Sequence, residues 1–499
     1  SGSVDQLNAC YECCDRHAEA DREKVAIYWQ GKDGRKEQYT FAQLKKWSSQ
    51  FANFLKSQGI QAGDRISGLL PRTPELLVVI LAAWRIGAVY QPLFTAFGPK
   101  AIEHRVQLAK SKLVVTDIGN RSKLDEVAQC PQIMTVSDQQ GHAVQQGDLD
   151  FWKELNQHAE QCDLVMQSIQ DPFLLMFTSG TTGPAKPLEV PLKALIAFGN
   201  YMKDAIGLRA DDAFWNIADP GWAYGLYYGI TGPLLLGHAT LFYEGGFSID
   251  SLCQIIDDYK INNLAGAPTA YRMMMAADPT QMAQLKGKFR VVSSAGEPLN
   301  PEVFRWFKQV LDAPIFDHYG QTEVGMVVCN HHGLSHEVRA GAAGFASPGY
   351  RVAVVDDQGN ELPADTAGIL AVDISQSPMM WFGGYKESRK SPFIKNYYLT
   401  GDTAELHADG SMSFVGRSDD VITTSGYRIG PFDVESALLE HEAVTEAAVV
   451  GVPDPERTEI VKAFVILAEN KTPSEELAEQ LGQFVKKRQS AHAYTRQVE

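Results

Sequence analysis

The chain has 499 residues, with 45 lysines and arginines against 61 aspartates and glutamates, a net charge of −16. Its length suits about two to four domains with at least one sizeable core, and its composition, 44% hydrophobic and 21% charged, is that of a globular protein. The acidic balance, without a basic cluster of the size a nucleic-acid backbone needs, excludes a nucleic-acid partner. An acidic chain that holds a polyphosphate must therefore create positive potential locally.

At the N-terminus, SGSVDQLNACYECC has no basic stretch followed by an apolar one, so no secretory leader is expected, and the missing initiator Met leaves native leader residues open. Cys10, Cys13, Cys14 and His17 fall at i, i+3, i+4 and i+7. That spacing fits either a zinc site or one apolar face of a short helix with Tyr11 and Glu12 turned elsewhere. With no second CxxC downstream, the helix face is the reading adopted. Seven cysteines in so long a chain do not make a disulfide framework, and a reduced, cytoplasmic protein is expected.

FAQLKKWSSQFANFLKSQG predicts a helix ending at Gly59, RISGLL a strand, TPELLVVILAAWRIGA a second helix and KLVVTD a further strand. No run reaches the roughly 18 apolar residues of a membrane helix, since LLVVILAAW is stopped by Arg85. NLAGAP, FRVVSSAG and APIFDHYG each end an extended run in small or polar residues, where open α/β sheets bind ligands. His331, His332 and His336 lack a carboxylate or Cys at ligand spacing and read as loop residues. Past residue 340 the texture changes to short strands and turns, RVAVVDDQGNEL and SMSFVGR. After RSDDVITTSGYRIG comes a compact unit: helix PFDVESALLEHE, strands VTEAAVVGV and VKAFVILAE, helix SEELAEQLGQFVKKR. A domain boundary is placed near Arg417–Asp420, and no internal repeats are visible.

TSGTTGPAK, Thr178 to Lys186, follows the apolar run PFLLMF. A Walker loop needs lysine directly after its second glycine and a hydroxyl after the lysine; here the order is Gly180, Gly183, Lys186, Pro187, so that loop is excluded. Glycines that let backbone N–H groups turn inward, hydroxyl donors and a lysine still make an anion nest; a Gly/Thr-rich turn is the alternative on this segment alone.

TSGTTGPAK, AGEPLN, YGQTE, YLTGD, GRSDDVI and SGYRIGP occur in that order. Together they resemble the adenylate-forming superfamily, specifically acyl-CoA synthetases of the acetyl- and medium-chain type, over nearly the whole chain. The resemblance implies an α/β fold: a large N-terminal domain of layered α/β sheets with a small β-subdomain, 1–416, a hinge, 417–420, and a small mobile α+β domain, 421–499. It implies an acid–thiol ligase that makes an acyl-adenylate from a carboxylate and ATP, releases pyrophosphate and transfers the acyl group to coenzyme A, with Mg2+. Thr178, Ser179, Gly180, Thr181, Thr182, Gly183 and Lys186 would hold the β- and γ-phosphates. Thr322 would touch the α-phosphate and Glu323 would ligate magnesium. Gly296, Glu297 and Pro298 would line the adenine, with Asp317, His318 and Tyr319 opposite and Gln321 nearby. Asp402 would accept the ribose hydroxyls, supported by Arg417. Arg428 would face phosphate or coenzyme A, Gly426 would let the pantetheine arm pass, and Asp419 sits at the hinge.

Trp222, Ala223, Tyr224, Ala295 and Gly320 would line the acid. Acetate-specific relatives look like WWQTE where this chain has YGQTE, so the plug is absent at Gly320 and a short- to medium-chain or branched acid is expected, with benzoate kept open. Two departures stand out. Pro187 replaces a usual glycine, and the chain ends at Glu499 without the lysine that the family carries near SGK, which implies a truncated C-terminal domain and weak adenylation as written. The alternatives are an enzyme that loads a carrier-protein thiol and a non-catalytic ATP or acyl-adenylate binder. A homo-oligomer is compatible with the resemblance.

Overall fold

The computed structural model describes residues 2–137, 144–178, 185–339, 341–385, 391–417, 420, 422–424, 427–454, 458–488 and 495–499. They form two units: Ser1–Gly266 with Gln321–Gly325 and Met379–Ser391, and Ala267–Gly320 with Met326–Pro378 and Pro392–Glu499.

In the first unit seven strands make one sheet, in spatial order Leu149–Asp150, Gln132–Val136, Leu113–Asp117, Arg65–Leu69, Val89–Pro92, Pro172–Thr178 and Lys186–Pro191. All neighbours are parallel except the last pair. Strands buried on both faces read as unbroken apolar runs, which is why LVV and FLLMF stand out in the sequence. The predicted helix Phe41–Ser57 starts in a capping box, with Thr40 accepting from the Gln43 N–H and Gln43 accepting from the Thr40 N–H. It stops before Gly59, whose φ is +75°. The helix Pro74–Arg85 buries every residue but Glu75, so it lies inside the unit rather than on its surface. A three-stranded sheet (Thr240–Tyr243, Val25–Gln30, Lys36–Thr40) and a parallel pair (Phe214–Asn216 beside Asn263–Gly266) complete the unit's strands.

In the second unit Val291–Ala295 runs parallel to Ile315–Gln321, and Gly325–Cys329 pairs antiparallel with Phe345–Ala346. A small β-sheet contains Val352–Val355, Gly368–Asp373, Tyr397–Leu406 and Phe393–Ile394, with Met412–Arg417 on Tyr397–Leu406. The C-terminal part is α+β: helices Pro431–Leu439 and Glu475–Arg488 share a core of Val434, Leu438, Val461, Leu481 and Val485 with strands Val444–Asp454 and Thr458–Leu467. The fold is thus α/β with an α+β C-terminal part. Among the described residues no helix is long and apolar enough to cross a membrane.

The N-terminal cysteines are core residues. Cys10, Cys13 and Cys14 are fully buried, and burial pushes the Cys10 thiol up to about 12. Glu12 departs from expectation: it is buried too, because Arg16 Nη1 meets its carboxylate at 3.1 Å. Beside them Arg85 makes a two-pronged pair with Asp15, at 2.6 and 2.9 Å, and both side chains are almost wholly buried. Among the described residues no group of three or more His, Cys, Asp or Glu could hold a metal.

A buried pair contributes little net energy, but either half alone is costly. Asp15→Leu is expected to lower the unfolding free energy by about 3–5 kcal/mol, and adding Arg85→Leu to restore most of it, as read by urea unfolding of the single and double variants.

Candidate active site

In the first unit Lys186 and Glu323 meet on one side chain, Tyr385. Thr178 ends its strand and pairs with Lys186 at the start of the next, so the phosphate-loop segment leaves and re-enters the sheet at one register position. Ser179, Gly180, Thr181, Thr182 and Gly183 lie outside the described residues. Lys186 Nζ stands 5.4 Å over the ring of Tyr385, in cation–π range. The Tyr385 hydroxyl donates to Glu323 Oε1, and Glu323 is buried.

The turn that carries Thr322 and Glu323 is pinned from beneath. Tyr227 Oη donates to the Thr322 carbonyl at 3.0 Å, and its ring stacks on Phe198. Burial, then the charge of Glu323, holds the Tyr227 phenol well above its usual range. Gly325 has φ +70°, and a Cβ there would lie 2.7 Å from the Tyr228 hydroxyl, so the turn can press this closely only as glycine. The segment bearing Tyr385 is tied down by Lys193 Nζ, which donates to the Met380 carbonyl at 2.6 Å.

Trp222 is 40% exposed, and its indole is braced by Phe94 and Phe97, each 5.5 Å away between ring centres. Ala223 and Tyr224 open the short helix that follows. At Gly225 a Cβ would come within 2.2 Å of the Asp219 carbonyl, so the loop before Trp222 folds tightly over the helix start.

In the second unit the candidate carboxylate Asp402 is nearly buried and held from two sides. It lies opposite Arg417 in register; Arg417 Nη1 meets Oδ1 at 2.9 Å, and the Tyr319 hydroxyl donates to Oδ2. Burial, then the Asp402 charge, pushes the Tyr319 phenol well up. Gly296 adopts φ +98° with open space where a side chain would go. Glu297 is committed to helix Pro268–Met275: Thr269 Oγ1 donates to it at 2.7 Å and Arg272 Nη2 at 2.9 Å. Pro298 follows in the same loop, and Ala295 is fully buried at its strand end. The Leu299 N–H donates to Asp317 Oδ2 at 3.3 Å, and burial lifts that carboxyl to about 8. His318 is buried, its Nε2 donating to the Asn330 carbonyl at 3.0 Å.

Gly320 and Gln321 close strand Ile315–Gln321. Arg428 has its backbone in strand Tyr427–Ile429, while its side chain, Gly426 and Asp419 lie outside the described residues. The three histidines lie in loops as read, yet His331 and His332 are packed rather than solvated. His332 stacks on Phe316 at 4.0 Å with ring planes 2° apart, and its Nε2 donates to the Val292 carbonyl at 2.9 Å.

Sequence reading missed Tyr385, Tyr227 and Lys193, and did not see the Tyr319–Asp402 bond. Tyr385 stands 62 positions from Glu323, in a stretch with no motif to mark it. The donor set fits magnesium: one buried carboxylate leaves the other positions to nucleotide oxygens and water, the usual way this ion is held.

The mixed α/β fold, with Lys186 and Glu323 both on Tyr385 and Asp402 held by Arg417 and Tyr319, is matched by known ligases. Two family models match, "AMP-binding enzyme" over residues 14–380 and "AMP-binding enzyme C-terminal domain" over 433–499. The chain belongs to the AMP-binding enzyme family. It is 39% identical to the acetyl-coenzyme A synthetase of Bacillus subtilis, over 99% of this chain and 87% of that one. Against the mitochondrial acyl-coenzyme A synthetase ACSM4 of Rattus norvegicus it is 35% identical, over 95% and 83%. A crystal structure of Brucella canis acyl-CoA synthetase superposes with a TM-score of 0.85 at 57% identity, over 100% of this chain and 91% of that one. The activity is that of an AMP-forming acyl-CoA ligase, which uses ATP, Mg2+ and coenzyme A.

The histidine cluster sets a pH dependence. Burial lowers His331 to about 4 and His332 to about 3 from 6.5. Their contribution to stability is complete above pH 6.5 and is lost as pH falls from there towards those values, because the unfolded chain takes up the protons first. Asp317, raised from 3.8 to about 8, acts with the opposite sign, losing stability as pH rises across that window. His332→Phe, which keeps the stack on Phe316, is expected to flatten the fall in melting temperature between neutral and mildly acidic pH. Each such proton is worth up to about 1.4 kcal/mol per pH unit, and calorimetry across that range reads the difference.

Proposed function

We propose that the chain activates a short- to medium-chain or branched carboxylic acid with ATP and passes the acyl group to coenzyme A. The observation that carries this range is the half-exposed indole of Trp222 braced by Phe94 and Phe97, an aromatic wall suited to hydrocarbon. The absence of a side chain at Gly320 supports the same reading, each buried methylene being worth about 0.8 kcal/mol. The acetyl in the name of the Bacillus subtilis relative favours a second reading, acetate itself.

In the first step the acid's carboxylate oxygen attacks the α-phosphorus, and the bond to pyrophosphate breaks. In the second the coenzyme A thiolate attacks the acyl carbon, and AMP leaves. Neither step needs a covalent enzyme nucleophile; both need anions placed together and their charge offset. Lys186 supplies that charge beside Thr178 at the β- and γ-phosphates, and Thr322 donates at the α-phosphate. Magnesium held by Glu323 would neutralise phosphate oxygens.

Asp402, steadied by Arg417 and Tyr319, holds the ribose hydroxyls. Gly296, Glu297 and Pro298 line one side of the adenine, with Asp317 and His318 on the other. Arg428 and Gly426 serve the coenzyme A step. The division at 1–416, 417–420 and 421–499, a homo-oligomeric state and a cytoplasmic location belong to the same reading.

Coenzyme A-dependent AMP release over straight and branched acids from acetate to decanoate, with benzoate, tests the range. A maximum at butyrate or longer is expected; a sharp acetate maximum would overturn it. Gly320→Trp is expected to cut turnover of the longer acids at least about 10-fold while sparing acetate. Asp402→Asn is expected to raise the KM for ATP about 10–100-fold with a smaller change in kcat, the size of a lost hydrogen bond to a charged group.

A further inference from the structure

Tyr385 touches both charged groups of the first unit's cluster: its hydroxyl donates to Glu323 Oε1 and its ring lies 5.4 Å under Lys186 Nζ. We propose that Tyr385 is a positioning residue for the metal carboxylate, holding Glu323 through Oε1 in the orientation that meets the magnesium–nucleotide complex. The inference rests on Glu323 being the magnesium ligand.

A glutamate has three torsions before its carboxylate and pays rotamer entropy to hold any one orientation. A donor fixed on one oxygen removes that freedom beforehand, as hydrogen-bonded partners of metal-ligating carboxylates do elsewhere. The donor here is well placed to stay fixed. Lys193 holds the Met380 carbonyl of the same segment, and the Tyr385 ring meets Phe382 edge-on at 5.0 Å. A phenol also suits the task electrostatically: it donates without adding a positive charge that would repel the ion. The ring face meanwhile offers Lys186 a weak cation site.

Tyr385→Phe keeps the ring and removes only the hydroxyl. The full-length protein with α,β-methylene-ATP is titrated with Mn2+, the free ion being read by electron paramagnetic resonance, and the Mg2+ requirement of pyrophosphate release is measured alongside. Binding about 10-fold weaker, a matching rise in the Mg2+ needed and a kcat at saturating Mg2+ within about 3-fold of the parent are expected. Tyr385→Leu, which also removes the ring, is expected to raise the KM for ATP as well. A ligand-free melting temperature like the parent's, with a smaller rise on adding magnesium and nucleotide, separates this role from a structural one.

Glu323→Gln is the control. If it weakens Mn2+ binding while Tyr385→Phe leaves it unchanged or tightens it, the role of Tyr385 is refuted and the assignment of Glu323 stands. If Glu323→Gln changes nothing, Glu323 is not the ligand and the role of Tyr385 falls with it.

Discussion

Strand pairing is the constraint on which the placement of the candidate groups depends: antiparallel pairs set Lys186 opposite Thr178 and Asp402 opposite Arg417, and parallel pairs align the loops that follow their strands. Parallel neighbours deliver their carboxyl ends to one edge, so the residues after each strand share that edge however far apart they lie in the chain. Thr178 ends a strand of the seven-stranded sheet, and Asn216 pairs with Ala265 just before the loop that leads to Trp222. Within the second unit Ala295 lies opposite His318, which brings the loop of Gly296 to Pro298 beside Tyr319. The buried apolar runs that build the strands are therefore also what aims the polar residues that follow them.

A chain with net charge −16 that uses a polyanionic substrate needs positive potential created locally. Lys186 lies over an aromatic face. Asp402 is braced by a phenol as well as a guanidinium. Asp15 and Arg85 form a close pair within the core.

The N-terminal cysteines and the histidine loop show why residue type is a weak guide to chemistry. Spacing could place Cys10, Cys13 and Cys14 on one face but could not say whether that face met solvent, a metal or the core. The structure packs all three among core residues, with no exposed surface. His332 likewise looks like a loop residue until Phe316 is found parallel to it.

The sequence by itself determined the strands and helices, because period-2, period-3.6 and fully apolar runs are local properties, and it marked the ordered motifs that carry the family. Tertiary structure alone decided what touches Glu323, what holds Asp402 beyond Arg417, and why Gly325 admits no side chain. Those contacts join residues about 60 to 100 positions apart, and a hydrogen bond such as that from Tyr385 leaves no trace in composition or spacing. Local free energy writes the elements, and packing between them sets the orientation of the groups that do the chemistry.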